Sequence, residues 1–373
     1  MDVKPSTGEV ILIDGSYGEG GGQILRAGLV LSMLTGQPVQ FNNIRARRPN
    51  PGLQPQHLTA VHAAATISQA RVSGAIIGSP YLYFEPGPIV GGEFLFNVEE
   101  ISGAGSAGSV ILVAQTVLLP LALAGQASQV TLLGGTHVGW SPGSDYLTQV
   151  YLPAMREMGV EAELTTRAAG FYPRGGGQVI LKVSPATLPL RPINWTDRGN
   201  LKQITLTFTL SNLPEHTLKR GEQSAETLIG LLGIRPQFKH QILPSRGFGL
   251  SLTLSAQAEH GYAGFIRLGR RGVAVEQVVE EAWNEFVAWA KTRTSVDQFL
   301  ADQLVLPALF ASGPSTWTTS RATSHLRTLL WLVHSFVKAR TELTALDSQG
   351  VKVQIVPGEE PSNADHPTNH TST

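Results

Sequence analysis

Along this chain the apolar positions switch repeatedly between a two-residue and a three-to-four-residue period, and the switches mark its elements. Val10–Ile13 reads as a strand, about Gly22 to Leu34 as a helix stopped by Gly36 and Pro38, and Val39–Ile44 as a second strand. A helix from about Gln56 to Ser68 and strands at Arg71–Ile77 and Tyr81–Phe84 complete the order βαβαββ. The same order recurs in strand Phe94–Val98, helix Ser106–Ala124, strand Gln129–Leu133, helix Asp145–Met158, and strands Val160–Thr166 and Gly177–Val183. Helix Val296–Phe310, strand Ser315–Thr319, helix Ser324–Lys338 and two short strands ending at Val351–Val356 read as most of a third copy. Each unit is expected to lay helices on a small sheet.

Between the second and third copies the pattern changes. The proline-rich stretch Ser184–Pro192 opens a segment with strands at Leu201–Leu210, Leu250–Ala256 and Ala263–Leu268 and helices between and after them. Residues 187–290 therefore read as an inserted domain between 1–186 and 291–357. Its last helix carries Val275, Val279, Ala282, Phe286 and Trp289 at alternating spacings of four and three, a stripe for core packing. Residues 358–373 are Pro, Ser, Asn, Thr and His without periodicity and are expected to be disordered.

Length and composition narrow the class. A chain of 373 residues exceeds the usual single domain, and 42% hydrophobic with 15% charged residues describes a globular protein. The formal net charge is zero, so a polyanionic partner must be met by a local arginine cluster rather than by the whole surface. With no cysteine, disulfides, thiolate nucleophiles and thiolate metal sites are excluded. Met1 to Val10 lacks an export signal, and the longest apolar stretch, Val110 to Ala124, is interrupted by Gln115, Thr116 and Pro120, so no membrane span is expected. The expected setting is cytoplasmic.

Four loops before helices carry unusual chemistry. The segment Gly15-Ser-Tyr-Gly-Glu-Gly-Gly-Gly-Gln23 lets backbone N–H groups approach a phosphate, but is neither a Rossmann fingerprint nor a P-loop. As a glycine pattern it equally suits a plain structural turn. It carries Glu19, Gln23 and Arg26 within about two helical turns, an acid, an amide and a guanidinium suited to a metal-bound phosphate. Arg45, Arg47 and Arg48 place three guanidinium groups on one strand end and loop, where they can grip phosphate oxygens or be a solvated loop. Gly103–Ser109 precedes a helix bearing Gln115, and Gly134–Gly143 leads to Ser144. If these helix starts converge, their dipoles face one anion.

His325 stands at the first turn of the helix that follows Thr323 and Ser324. The helix dipole disfavours an imidazolium there, so a neutral, nucleophilic ring is expected. By spacing alone, a structural role for this histidine comes first.

These segments resemble the RNA 3′-terminal phosphate cyclase family, through Asp14-Gly-Ser-Tyr-Gly-Glu-Gly-Gly-Gly-Gln-Ile-Leu-Arg26, Arg45–Gly52, Gln56-His57-Leu58, Gly105–Ser109, Phe171-Tyr-Pro-Arg-Gly-Gly-Gly177 and Leu300-Ala-Asp-Gln-Leu304. The resemblance implies an α+β fold of three βαβαββ repeats similar to the C-terminal domain of bacterial translation initiation factor three, with a smaller α/β domain inserted before the third. It implies an ATP-using enzyme that closes an RNA 3′-terminal phosphate to a 2′,3′-cyclic phosphodiester through AMP held on a histidine, here His325. Glu19 would hold a divalent metal, Mg²⁺ or Mn²⁺. Gln23, Arg26, Arg45, Arg48 and Gln56 would hold phosphates of ATP or RNA, with Gln115 near them. Asp302 and Gln303 would contact the nucleotide or orient the histidine, and Pro142 with Phe299 would sandwich adenine. A homodimer is the family-based expectation.

Two departures stand out from that pattern: His137 in the loop after Gly135-Thr136, where Asp is usual, and Leu268-Gly-Arg-Arg271 in the inserted segment, where an acidic residue is common. Two rival readings are a non-catalytic relative that assists ribosome assembly and an enolpyruvyl transferase of similar repeated architecture. The first is disfavoured by His325, the second by the Gly-Glu-Gly-Gly-Gly-Gln loop.

Overall fold

A computed structural model describes residues 9–102, 107–230, 235–347 and 350–359. Positions 360–373 of the expected disordered tail, and 103–106 of the third glycine-rich loop, lie outside the described residues.

The chain is α+β, with four mixed four-stranded sheets. The first is built from β1 (Ile11–Asp14), β2 (Val39–Asn42), β3 (Arg71–Ser73) and β4 (Leu82–Glu85), with α1 (Gly22–Thr35) and α2 (Pro55–Ser68) between them. Its order is β1-β2-β4-β3, with β1 parallel to β2 and the other pairs antiparallel. The second repeats that connectivity in β5 (Glu93–Asn97), β6 (Ser128–Gly134), β7 (Ala162–Ala168) and β8 (Gly177–Val183). The intervening helices are α3 (Val98–Ser102) and α4 (Val110–Ala122), then α5 (Ser144–Tyr146) and α6 (Leu152–Glu157) on either side of a π-helical turn, Leu147–Tyr151. The helix expected over Asp145–Met158 is thus continuous in direction but widened in its middle, an arrangement frequent at functional junctions.

The third sheet contains a strand that periodicity did not mark. β9 is only Asn194–Trp195, and it lies parallel to Ser315–Thr319 with Trp195 opposite Trp317. Two residues carry no readable period, and the surrounding prolines read as a linker. Two residues of the 187–290 segment thereby belong to the third sheet, and that segment interrupts the third unit after its first strand.

The interrupting chain forms β10 (Leu201–Ser211), α7 (His216–Ile229), β11 (Gln237–Ile242), β12 (Gly249–Ala258), β13 (Tyr262–Leu268) and α8 (Val275–Thr292). Its sheet order is β11-β10-β12-β13. The edge strand β11 escaped the sequence reading because its residues, Gln-Phe-Lys-His-Gln-Ile, are mostly polar and none is fully buried. The α8 stripe Val275, Val279, Ala282, Phe286 and Trp289 is buried against this sheet in a second core, separate from the main one. Burying a side chain such as Phe286 contributes about 1.5–3 kcal/mol.

The third unit resumes with α9 (Leu300–Gln303), α10 (Val305–Ala308), β14 (Ser315–Thr319), α11 (Ser324–Val333), β15 (Ala339–Leu346) and β16 (Gly350–Pro357). The helix expected over Val296–Phe310 is two short ones. Asp297 Oδ1 accepts the N–H groups of Phe299 (2.7 Å) and Leu300 (3.0 Å), so the helix starts only there. Val296 instead bridges to Thr319. The helix begun at Ser324 stops at Val333, five residues short of Lys338. The strand begun at Arg71 stops at Ser73, before Gly74, whose φ is 83°. Among the described residues no helix is long and apolar enough to cross a membrane.

Candidate active site

Helices α1, α2, α4 and α11 pack on one another within the main core. The N-terminal turns of α2, α4 and α11 are fixed by local polar contacts. Thr323 Oγ1 accepts Leu326 N–H at 3.0 Å and Ser109 Oγ accepts Leu112 N–H at 3.4 Å, two side-chain caps. At α2, Gln54 and His57 form a reciprocal capping box, in which His57 Nδ1 accepts Gln54 N–H at 3.2 Å. Gln56 Oε1 accepts the Ser109 N–H at 3.1 Å, tying the start of α2 to the start of α4.

His325 is brought between two carboxylates. Its Nε2 lies 2.6 Å from Glu19 Oε1 and its Nδ1 lies 3.6 Å from Asp302 Oδ2. Glu19 also receives Arg48 Nη2 at 3.1 Å and the Ser324 hydroxyl at 3.2 Å. Asp302, buried at the start of α9, accepts Gln23 Nε2 at 3.3 Å. One contact network thus joins Glu19, Gln23, Arg48, Asp302 and His325, which the sequence scatters from residue 19 to residue 325.

The expected neutrality of His325 is not what this geometry favours. Contact with Asp302, reinforced by Glu19, raises the imidazole above its ordinary value although burial opposes this. Burial raises the Asp302 carboxyl, against the pull of His325, Arg26 and Gln23.

Arg26 and Arg45 flank the network. Burial lowers the Arg26 guanidinium to about 10, with Asp302 and Glu19 working in the opposite direction and Arg45 adding to the decrease. Desolvation with Arg26 and Arg45 nearby pushes the His57 imidazole down to about 3, so His57 is neutral. Gly22 is required here by close approach: a Cβ on it would collide with His57 Nε2 and come 2.9 Å from Arg26 Nη1. Arg45 Nη2 donates to Asn50 O at 2.9 Å, holding the arginine loop. Arg47 does not join this group; it lines a neighbouring cleft.

Several polar atoms here are buried without a partner among the described residues: Gln23 Oε1, Gln303 Oε1, and the Nε atoms of Arg45 and Arg48. Orphaned groups cost free energy, so their gathering suits a site that a polar ligand completes. No group of three or more His, Cys, Asp or Glu side chains able to hold a metal occurs among the described residues. A single carboxylate, Glu19, fits a Mg²⁺-like ion whose other ligands are phosphate oxygens and water.

Other expected residues are not bonded into the network. Gln115 is half-buried on α4, Pro142 half-buried before α5, and the Phe299 ring is 54% exposed at the start of α9. None of their side chains hydrogen-bonds to the cluster among the described residues. His137, the first departure, bonds outside the network. It is buried, with Nδ1 2.9 Å from Thr136 Oγ1 and Nε2 3.1 Å from Asp145 Oδ2. Asp145 in turn accepts Thr209 Oγ1 at 2.7 Å and Gln241 Nε2 at 2.8 Å. His137 therefore serves the joint with the inserted segment. Arg270, the second departure, pairs with Glu281 on α8.

Sequence reasoning missed Ser324 and His57 as site residues. The signal for His57 was its spacing from Gln54, a capping-box pair, and for Ser324 its place in the first turn beside His325.

A family model described as RNA 3′-terminal phosphate cyclase matches residues 17–343. This span contains the whole His325 network. The chain belongs to the RNA 3′-terminal phosphate cyclase family. Among curated relatives, the RNA 3′-terminal phosphate cyclase of Methylococcus capsulatus is 45% identical over 335 residues, covering 90% of this chain and 93% of that protein. The cyclase of Gloeothece citriformis is 41% identical, covering 90% of this chain and 96% of that protein. The archaeal cyclase of Archaeoglobus fulgidus is 40% identical, covering 88% and 96%. Family membership with near-full coverage makes the network at His325 the place to look for the family's chemistry.

Proposed function

We propose that this chain uses ATP to convert an RNA 3′-terminal phosphate to a 2′,3′-cyclic phosphodiester, through AMP held on His325. The observation that carries this reading is the placement of His325 between Glu19 and Asp302, beside Gln23, Arg26 and Arg48, in a family of cyclases.

In the first step His325 Nε2 attacks the ATP α-phosphorus; the P–N bond forms, the bond to the bridging oxygen breaks, and pyrophosphate leaves. An oxygen of the RNA 3′-phosphate then attacks the AMP phosphorus, breaking the P–N bond. The adjacent 2′-OH attacks the RNA phosphorus, giving its proton to solvent, and the bond to AMP breaks so that AMP leaves. Asp302 faces Nδ1, where it orients the ring and offsets the positive charge of the adenylated imidazole. Arg26, Arg45, Arg48, Gln23 and Gln56 hold phosphate oxygens as charge builds in each in-line displacement. Glu19 would hold a divalent ion, Mg²⁺ or Mn²⁺, which supplies charge neutralisation at the triphosphate. Glu19 held in that way would leave His325 Nε2 free of its carboxylate. Gln303 and Gln115 would contact the nucleotide, and Pro142 with Phe299 would sandwich the adenine.

The three sheets of common connectivity support a three-repeat body like the C-terminal domain of translation initiation factor three, with residues 200–292 inserted within the third repeat. The non-catalytic alternative, a relative aiding ribosome assembly, has no need of a histidine held between two carboxylates.

Incubation with ATP, a divalent metal and RNA ending in a 3′-phosphate should give a phosphatase-resistant 2′,3′-cyclic end. RNA ending in a 3′-OH should be unchanged. A 3′-phosphate that remains phosphatase-sensitive after incubation would rule this reading out.

A further inference from the structure

Beside the network, on the other side of the glycine-rich loop, lies a cleft of about 440 Å³ lined by Asp14, Tyr17, Gly18, Arg47, Ser324, Arg327 and Thr328. Its two guanidinium groups are exposed. Its one carboxylate is engaged, since Asp14 Oδ1 accepts Ser16 N–H at 3.0 Å and Asn43 Nδ2 at 3.3 Å. With two guanidinium groups against one carboxylate, the cleft is net positive. It is also firmly built: the Tyr17 ring stacks on Trp331 at 3.8 Å with 14° between planes, and Gly18, at φ 57°, sits against the Thr328 hydroxyl where no side chain fits.

Ser324 joins this cleft to the reaction centre. It lines the cleft and donates to Glu19 Oε2 at 3.2 Å, and Glu19 Oε1 lies 2.6 Å from His325 Nε2. Arg327, two positions beyond His325, is turned about 200° around α11 from it. Arg47 lines this cleft, while Arg48 of the same loop contacts Glu19. Among the described residues neither Arg47 nor Arg327 is hydrogen-bonded into the network of Glu19, Arg48 and His325, so the pair is open to a further phosphate close by. A polymer entering with its 3′ end at His325 has one at every nucleotide.

We propose that this cleft binds phosphodiester groups of the single-stranded RNA leading to the 3′ end, through Arg47 and Arg327, and so favours polymers over mononucleotides. The inference rests on the cyclase reading of the neighbouring site. Each arginine offers a planar fork for phosphate oxygens, and two such contacts suffice for short, terminal recognition by a chain of zero net charge.

The test is a variant carrying Arg47→Ala and Arg327→Ala, compared with wild type by fluorescence anisotropy on a 5′-labelled RNA with a 3′-phosphate between 50 and 200 mM salt. The slope of log affinity against log salt should become shallower by about 1.4, two contacts at about 0.7 each for a single strand. The KM for this RNA in cyclisation should rise about tenfold or more, while self-labelling from ATP is unchanged, which also shows that the variant is folded. An unchanged slope and KM would overturn the proposal, as would a parallel fall in self-labelling, which would assign the cleft to ATP. If wild type neither labels itself nor cyclises RNA but the slope shifts as expected, the activity reading fails and the cleft stands. With normal labelling and an unchanged slope, the cleft fails and the activity reading stands.

Discussion

Glu19 Oε1 lies 2.6 Å from Nε2 of His325, the ring nitrogen that does not face Asp302. The carboxylate that the family reading gives to a metal thus covers the nitrogen that must attack. On the proposed reading Glu19 would leave the histidine to hold the ion. Glu19→Ala should bare Nε2 and yet lower self-adenylation by about 10²-fold or more, because charge neutralisation at the triphosphate is lost. A chelator should have the same effect on wild type. Both are read by incorporation of labelled AMP.

The raised imidazole gives a pH prediction. His325 is raised chiefly by Asp302, then by Glu19. Below the ordinary value near 6.5 the ring is charged and its pairing stabilises the fold; that contribution is lost as pH rises through the raised value, where the nucleophile appears. Self-adenylation should climb through a midpoint above 6.5, and Asp302→Asn should shift the midpoint downward. NMR titration of the His325 ring gives the same comparison without ATP.

His57 has the opposite sign. It is buried and held neutral, its value pushed down to about 3. The unfolded chain takes up a proton below about 6.5 that the native chain refuses until near 3, so stability falls with pH across that window. In urea unfolding, His57→Phe should flatten the fall between pH 6.5 and 4.5. The same variant loses the capping contact to Gln54 and should be about 1 kcal/mol less stable at pH 7.

Gly22→Ala tests the packing that positions the phosphate grip. The added methyl would meet His57 Nε2 and Arg26 Nη1, displacing both. A folded variant with a KM for ATP raised about tenfold is expected, measured by initial rates. An unchanged KM would show that Arg26 does not depend on this contact.

Much of this was legible in the sequence because it is local. The period changes give α1, α2 and the α8 stripe, and the glycine loop with Glu19, Gln23 and Arg26 belongs to one strand–turn–helix. What spacing could not give is long-range. Asp302 meets Gln23 across 279 positions, a relation that only resemblance supplied. β9 is too short to have a period. The helix-dipole argument for a neutral histidine counts one backbone field and omits two side chains from other units that raise the ring. Nor could spacing show that the His137 ring turns inward to Asp145.

That joint yields a stability prediction. Asp145 accepts from Thr209 and Gln241 of the inserted segment and contacts His137. Asp145→Ala removes this acceptor from buried Thr209 and His137 and half-buried Gln241 and should cost about 3 kcal/mol, seen as a lower denaturant midpoint.

The account as a whole turns on one covalent bond. Wild-type chain incubated with α-labelled ATP and a divalent metal, then digested and mapped, should carry acid-labile label on the peptide containing His325, with none in His325→Ala and full labelling in His240→Ala. Label on any other peptide, or label that survives His325→Ala, would contradict it.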